Sequence, residues 1–304
     1  MTFWEGKKAF VTGSEGFLGK VLCNELVRRG ASVIRYDYAF GWKHDVTNFQ
    51  DVHRAIALEK PQYVFHLAAN SIVSSSQGNP LKAFEVNVGG VWNVLEACRL
   101  TAGIEGVVVS SSNHIYGPQP DGPTPESAPL NETGVYSTTK ICADYIVRCF
   151  ADVYGLPAVA LRHTNAYGPS DIHDSHIVRG TILSLMKGET PVIRSDGTIS
   201  KGYLYELDTV NAYILLAEKA SEAAGKSFNA SSDGNYTSIY LAGEICRLMK
   251  GSRIIEIKGQ PTREANEDLD SSAIRALGWE PQVGLLEGLA ITIEIMKESE
   301  KVTA

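Results

Sequence analysis

The strongest constraint on the fold is a glycine-rich loop between a short apolar strand and a helical segment near the start of the chain. The run Lys8–Thr12 has the composition of a buried strand, and Gly13, Gly16 and Gly19 follow it at intervals of three. In this spacing the first glycine permits a tight turn, the second lets a pyrophosphate approach the backbone and the third lets helix and strand pack closely. Because the following helix has free N–H groups at its N-terminus, the loop predicts a dinucleotide-phosphate site.

Strands and helices alternate along the first half of the chain. Predicted strands are Lys8–Thr12, Ala31–Asp37, Tyr63–Leu67, Val107–Ser110 and Ala158–Arg162, and predicted helices are Lys20–Arg29, Leu81–Leu100 and Val135–Tyr154. Such alternation is typical of βαβ units, in which helices cover both faces of a parallel sheet. The sequence therefore predicts an α/β fold with a doubly wound parallel sheet.

An acidic residue, Asp37, ends the second predicted strand 24 residues after Gly13. In dinucleotide-binding folds a carboxylate about 20 residues after the loop bonds the ribose diol of the cofactor. Because a carboxylate at this position repels a 2′-phosphate, Asp37 favours NAD over NADP as the cofactor.

Composition excludes several classes of function. The chain has 304 residues, 44% of them hydrophobic, and a formal net charge of -7, which disfavours a nucleic-acid partner. No run approaches the roughly 18 apolar residues of a membrane span, so we expect no membrane partner. Five dispersed cysteines without a C-x-x-C motif indicate reduced thiols and a cytoplasmic location.

Tyr136 and Lys140 form the candidate catalytic pair. Residues four apart on a helix share a face. The phenol has an ordinary pKa of about 10, and a neighbouring ammonium is expected to lower it toward neutrality. Ser112 ends a run of three serines and can hold the substrate oxygen in line. The trio suits removal of a proton from a sugar or alcohol hydroxyl while a hydride leaves the same carbon.

Further motifs run almost from end to end of the chain. They are Thr12–Gly19, Asp45-Val46, His66–Ala69, Asn87–Gly90, Ser110–Gly117, Tyr136-x-x-x-Lys140, Arg162–Pro169 and Leu277–Pro281. Together these segments resemble the extended short-chain dehydrogenase/reductase family, in particular its nucleotide-sugar epimerases and dehydratases.

The resemblance implies a role for each matching residue. The residues expected to bind NAD are Gly13, Gly16, Phe17, Leu18, Gly19, Asp37, Asp45, Val46, Leu67, Ala68, Ala69, Asn87, Ser110, Tyr136 and Lys140. The expected catalytic residues are Ser112, Tyr136 and Lys140, with Asn113 and His114 beside them. The diphosphate of a nucleotide sugar is expected to contact Asn165, Lys201 and Arg263. Lys201 stands where the family usually has arginine, and it lacks the bidentate fork of that side chain.

The same resemblance implies a domain organisation. A Rossmann domain is expected over residues 1–164, with 203–228 returning to it, and a smaller nucleotide-sugar-binding domain over 165–202 and 229–304. A homodimer is expected through the outer faces of the helices Leu81–Leu100 and Val135–Phe150. The segment containing Asp171, His173, Asp174 and His176 is interpreted as a solvated or substrate-facing loop, so we predict no metal site.

Asn113 bears on which reaction follows. Both reaction types of the family begin with oxidation of the sugar C4 hydroxyl. A 4-epimerase then returns the hydride to the other face, whereas a 4,6-dehydratase also removes the C5 proton and expels the C6 hydroxyl, which needs an acid and a base. Dehydratases of the family usually have aspartate at the position of Asn113, and an amide cannot deliver a proton. The residues therefore favour an NAD-dependent nucleotide-sugar 4-epimerase.

Three alternatives remain open. The segments Phe3–Lys7 and Arg194–Thr198 are similar to the CDP-glucose 4,6-dehydratase branch, and His114 is a substitute proton donor, so the dehydratase is the principal alternative. A non-catalytic NAD-binding module is disfavoured by the intact trio of Ser112, Tyr136 and Lys140. A net reductase using exchangeable NADPH is disfavoured by the carboxylate at position 37.

Overall fold

The structure is a computed structural model that describes residues 2–119, 122–251, 254–259 and 267–303. Its strands are β1 (Lys8–Thr12), β2 (Ser32–Tyr36), β3 (Tyr63–His66), β4 (Gly106–Ser110), β5 (Ala158–His163), β6 (Asn165–Tyr167), β7 (Val192–Ile193), β8 (Ser200–Tyr205), β9 (Ser227–Ala230), β10 (Asn235–Thr237) and β11 (Glu256–Ile257). Its helices are α1 (Phe17–Arg28), α2 (Phe49–Glu59), α3 (Val73–Gly78), α4 (Pro80–Phe84), α5 (Gly90–Arg99), α6 (Val135–Tyr154), α7 (Ile177–Met186), α8 (Glu206–Glu218), α9 (Ala220–Ala223), α10 (Ser238–Leu248), α11 (Ser272–Ala276) and α12 (Leu285–Thr303). None of the helices in these ranges is long and apolar enough to cross a membrane.

A six-stranded parallel sheet forms the centre of the fold, in the order β2-β1-β3-β4-β5-β9. Successive side chains of a strand point to opposite faces, and here both faces are buried. Val11 and Phe65 pack on one face with residues of α1 and α8, and Phe10 and Val64 pack on the other with residues of α2, α5 and α6. The predicted α/β fold with a doubly wound parallel sheet is confirmed.

The strand order positions a ligand crevice. The chain passes from β1 outward to β2 and then returns to the other side of β1 to form β3, so the connections diverge between β1 and β3. Ligands of open α/β sheets bind at such a switch point, beyond the carboxyl ends of the strands. The glycine loop leaves β1 at this point.

The connection from β2 to α2 is short. Residues 37–48 contain two 3₁₀ turns, Tyr38–Phe40 and Trp42–His44, and lead directly into α2. This segment is too short for a crossover and a further parallel strand, which would need a dozen or more residues beyond the strand itself. β2 is therefore the edge strand of the sheet. The Asp45-Val46 segment follows Asp37 closely in the chain.

The second half of the chain adds two small sheets beside the first. β8 lies between β10, which is antiparallel to it, and β6, which is parallel to it, and β11 pairs with β7. A separate apolar cluster joins this sheet to α7, α10 and α12, with Tyr167, Ile182, Tyr203, Leu241 and Leu289 among its buried side chains. The following α8 and β9 join the six-stranded sheet instead.

Some element boundaries differ from the sequence prediction. α1 begins at Phe17, three residues before the predicted start, because the helix opens directly out of the glycine loop. The predicted helix Leu81–Leu100 contains a π-helical turn at Glu85–Gly89. Asn87 lies on this turn, and π turns inside helices are frequently found at functional sites.

Candidate active site

The glycine loop is packed too tightly for any side chain at two of its positions. Gly13 has φ +70°, and a Cβ added there would lie 2.6 Å from the backbone nitrogen of Ala68. A Cβ on Gly19 would lie 1.9 Å from the Gly13 carbonyl oxygen. The N-cap of α1, Gly16, provides no side-chain hydrogen bond, so the first N–H groups of the helix remain open. This backbone surface fits a pyrophosphate.

Asp37 is anchored beside the glycine loop. Its Oδ2 accepts a hydrogen bond from the backbone N–H of Glu15 at 2.9 Å, and its Oδ1 accepts one from Ala39 at 2.9 Å. The carboxylate therefore lies next to the open end of α1, at the distance along the chain expected for a ribose contact. This arrangement fits the adenosine ribose of NAD.

Two short segments flank this crevice. Thr12 Oγ1 accepts a hydrogen bond from the N–H of Ala68 at 3.3 Å, which brings the Leu67–Ala69 segment against the glycine loop. Val46 is buried under Gly90, and its carbonyl accepts a hydrogen bond from Asn93 Nδ2 at 2.9 Å. The structure thus brings the predicted cofactor segments to one edge of the sheet.

Asn87 connects the loop after β3 to the candidate catalytic helix. Its Oδ1 accepts a hydrogen bond from the N–H of Asn70 at 2.7 Å, and its Nδ2 donates to the Asn70 carbonyl at 3.2 Å and to Thr139 Oγ1 at 2.9 Å. The side chain is 1% exposed and all three bonds are internal. The loop between β3 and α3 is therefore held against α6, next to Tyr136 and Lys140.

The candidate catalytic trio meets where β4 ends and α6 begins. Tyr136 and Lys140 lie on the first turns of α6 and are buried, and Ser112 hydrogen-bonds Tyr136. Lys140 Nζ donates to the carbonyl of Ser110 at 2.8 Å and lies 6.0 Å from the centroid of the Tyr136 ring. The Ser110 hydroxyl accepts a hydrogen bond from Tyr213.

The expected lowering of the Tyr136 pKa by Lys140 is not found in this structure. Burial raises the pKa of the Tyr136 phenol, and the hydrogen bond from Ser112 only partly offsets this rise. Burial also lowers the pKa of Lys140 to about 8, against a smaller raising effect of Asp144. The sequence prediction of a lowered phenol pKa was wrong for this state, because it did not include the burial of both groups.

A residue missed by the sequence analysis, Glu267, joins this site. Its carboxylate accepts a short hydrogen bond from Asn113 Nδ2 and lies 2.7 Å from Lys201 Nζ and 4.0 Å from His114 Nδ1. Burial would raise the pKa of Glu267, but His114, Lys201 and the hydrogen bonds from Lys201 and Asn113 outweigh it and lower the pKa. Glu267 is 154 residues from Asn113, so no local motif identifies it.

The three residues predicted to contact the substrate lie in different surroundings. Asn165 Nδ2 donates to the carbonyl of Gly202 at 3.4 Å, which ties β6 to β8. Lys201 pairs with Glu267, and its contact with a phosphate stays a prediction. Arg263 lies outside the described residues.

A surface pocket of about 440 Å³ lies in the second half of the chain. It is lined by residues of Asp174–Ile177, by Gly180, Thr181 and Ser184, by Val192–Ser195 and by Ser238. The Ser238 side chain also hydrogen-bonds Tyr203, whose charged neighbours are Lys201 and Glu267. The hydrogen bond from Ser238 therefore joins one wall of the pocket to β8, the strand that carries Lys201.

The two histidines after β6 lie close to each other and to an aspartate. His176 Nδ1 lies 2.8 Å from Asp171 Oδ2, and the His173 and His176 rings are 4.9 Å apart. Across the described ranges, no group of three or more histidine, cysteine, aspartate or glutamate residues is arranged to hold a metal ion.

Comparison with known proteins identifies the family. The model of the NAD dependent epimerase/dehydratase family matches residues 9–231, which is well over half of the chain. The chain belongs to the NAD-dependent epimerase/dehydratase family. NAD is its cofactor, and the glycine loop, Asp37 and the open end of α1 would hold it.

Epimerases and dehydratases have similar levels of sequence identity to this chain. The UDP-glucose 4-epimerase of Mycolicibacterium smegmatis is 29% identical over 319 residues, covering 97% of this chain and 100% of that protein. The dTDP-D-glucose 4,6-dehydratase of Homo sapiens is 25% identical over 321 residues, covering 96% and 91%. The chain spans about half the length of a trifunctional UDP-glucose 4,6-dehydratase of Arabidopsis thaliana, with 26% identity and 47% of that protein covered.

Solved structures agree with the family membership. The UDP-glucose 4-epimerase of Thermotoga maritima, crystallised with UDP-glucose, superposes with a TM-score of 0.89 at 27% identity, covering 96% of this chain and 99% of that one. The UDP-glucose 4-epimerase of Thermus thermophilus in complex with NAD gives a TM-score of 0.85 at 26% identity, with coverages of 95% and 99%.

Proposed function

We propose that the protein is an NAD-dependent nucleotide-sugar 4-epimerase that acts by transient oxidation at C4. The observation that carries this choice is the side chain at position 113. The Asn113 amide donates to Glu267, and Glu267 has a lowered pKa, so neither group supplies a proton at neutral pH. Elimination of the C6 hydroxyl needs such a proton, whereas epimerisation does not.

The roles proposed for the trio rest on its geometry and on the resemblance to the family. Bound NAD supplies the hydride acceptor. Tyr136 takes the proton of the C4 hydroxyl, Ser112 holds the same oxygen, and Lys140 holds the nicotinamide ribose. The positive charges of Lys140 and of the oxidised nicotinamide both favour the phenolate and thus counter the effect of burial on the pKa of Tyr136. Return of the hydride to the other face of the 4-keto sugar, with return of the proton from Tyr136 to the C4 oxygen, would complete the epimerisation.

The proposed substrate is a hexose joined to a nucleoside diphosphate. Asn165, Lys201 and Arg263 are the proposed contacts of the diphosphate. The pocket bounded by Val192–Ser195 and Ser238 is the proposed site of the nucleoside, since its volume of about 440 Å³ is large enough for such a group.

A 4,6-dehydratase is the second candidate, and one observation favours it. The His114 ring lies edge-on to the Tyr136 ring, with centroids 6.1 Å apart, so an imidazole lies beside the candidate catalytic tyrosine. If His114 protonates the departing C6 hydroxyl while a base removes the C5 proton, return of the hydride to C6 and of a proton to C5 would give a 4-keto-6-deoxy sugar.

The two candidates differ in their products. Purified protein would be incubated with UDP-, CDP-, GDP- and dTDP-hexoses without added reductant and followed by NMR. We expect one nucleotide sugar to equilibrate with its C4 epimer and no keto sugar to accumulate. Accumulation of a 4-keto-6-deoxy sugar would contradict the epimerase. The variant Tyr136→Phe serves as the inactive control.

We also propose that the enzyme is a cytoplasmic homodimer with the two domains expected from the sequence. Large apolar side chains remain exposed on neighbouring helices, among them Trp92 on α5 and Tyr145 on α6, at 57% and 60%. Pairing of these helix faces between two copies would cover them.

A further inference from the structure

The carboxylate of Glu267 contacts both the turn that follows Ser112 and the strand β8. Asn113 belongs to the 3₁₀ turn Asn113–Ile115, whose N-cap Ser112 accepts a hydrogen bond from the N–H of His114 at 3.2 Å. Lys201 belongs to β8. Glu267 binds the side chains of both Asn113 and Lys201.

The backbone of Glu267 fixes this carboxylate in place. Its N–H donates to the carbonyl of Ser200 at 2.8 Å, and a β-bridge pairs residue 267 with residue 201. The side-chain heavy atoms are 18% exposed. Glu267 is therefore held by β8 and reaches across to the turn that carries Ser112.

The contact also fixes the orientation of the Asn113 amide. A carboxylate only accepts hydrogen bonds, so the NH₂ group of Asn113 must face Glu267 and its Oδ1 must face away. An aspartate at position 113 would bring two carboxylates into contact. The amide and the carboxylate are thus matched to each other, across 154 residues of chain.

We propose that Glu267 is a positioning residue that locks the Ser112–His114 turn to the substrate strand β8, and that Asn113 and Glu267 act as one amide–carboxylate unit. The inference rests on the proposed function, because the turn being positioned holds the serine that binds the C4 oxygen. Glu267 itself exchanges no proton with the sugar, since its oxygens are already bound by Asn113 and Lys201.

Exchange of the two side chains tests the pair. In Asn113→Asp two carboxylates face each other, in Glu267→Gln two amides do, and the double variant restores one amide and one carboxylate. We expect kcat to fall about ten- to hundredfold in each single variant, the effect of losing a hydrogen bond to a charged group. We expect the double variant to recover to within about fivefold of wild type. Bound NAD should change little in any of the three variants, and the melting temperature lost in each single variant should be recovered in the double variant.

Asp268→Asn is the matched control, because it makes the same charge change one residue away and its side chain has no hydrogen bond within the described part of the chain. We expect wild-type kcat. If the losses of the two single variants instead multiply in the double variant, or if neither single variant loses activity, the proposal is wrong.

A readout independent of turnover separates this inference from the proposed function. In protein labelled with ¹⁵N-asparagine, the side-chain amide signal of Asn113 is assigned by its loss in Asn113→Asp. We expect that signal to shift in Glu267→Gln and to stay unchanged in Asp268→Asn. An unchanged signal in Glu267→Gln would overturn the pair even if epimerisation is observed. If only a keto sugar forms, the proposed epimerase activity is wrong, but the NMR comparison still tests the contact between Asn113 and Glu267.

Discussion

Lys140 carries a buried charge that costs stability. The residue is 4% exposed, its ammonium has one hydrogen bond within the described residues, to the Ser110 carbonyl, and burial lowers its pKa from 10.5 to about 8. At about 1.36 kcal/mol per pKa unit, this corresponds to roughly 3 kcal/mol at neutral pH. Lys140→Met removes the charge but leaves the Ser110 carbonyl without its donor, at a cost of about 1 kcal/mol. We expect the variant to be about 2 kcal/mol more stable and inactive.

The effect has a defined pH dependence. The pKa of Lys140 is about 8 in the folded protein and near 10.5 in the unfolded chain, so the unfolded chain binds more protons between these values. The stability contributed by this residue therefore rises with pH across that window. The advantage of Lys140→Met should be fully present below pH 8 and should shrink as the pH approaches 10.5.

Urea denaturation of protein stripped of NAD measures this difference at pH 7 and pH 9.5. Lys187→Met, at an exposed position after α7, is the control and should change the free energy of unfolding by no more than about 0.5 kcal/mol. A Lys140→Met protein that is less stable than wild type at pH 7, or an advantage that does not change with pH, would refute the reasoning. Either result would mean that the ammonium is better solvated or paired than the structure indicates.

Three further predictions concern other parts of the molecule. Tyr136→Phe should lower kcat by at least about a hundredfold while NAD stays bound, as seen by absorbance and mass spectrometry; normal turnover would remove the tyrosine from the mechanism. Arg162→Met should lower the free energy of unfolding by about 3–5 kcal/mol in urea titration, because it leaves Asp144, whose side chain is 3% exposed, without its ion-pair partner; a loss below 1 kcal/mol would contradict this. Trp92→Glu should convert a dimer to a monomer in light scattering, and a monomeric wild-type protein would disprove the proposed interface.

Local sequence patterns were sufficient to predict five of the six strands of the central sheet, but not β9. The apolar run before Gly13 and the spacing of Gly16 and Gly19 predict β1, the loop and α1, since each depends on neighbours in the chain. The spacing of Tyr136 and Lys140 likewise predicts their common helix face, and the structure brings Ser112 to them.

Features that depend on tertiary contacts were not predictable. Glu267 reaches Asn113 only because β8 and the catalytic turn come together, and no pattern in the chain encodes that approach. The raised pKa of Tyr136 depends on burial by several elements, which a helix pattern does not reveal. Lys201 matches a phosphate-binding position in the sequence, yet its partner in the ligand-free protein comes from a different segment.

The fate of the C4 hydrogen tests the central claim most directly. The protein would be given the nucleotide hexose that it turns over, labelled with deuterium at C4, and the product examined by NMR. An epimerase returns the same hydride to the same carbon, so the account predicts the C4 epimer with deuterium retained at C4. A 4-keto-6-deoxy product with deuterium at C6 would contradict it, because the hydride would then have been delivered after loss of the C6 hydroxyl.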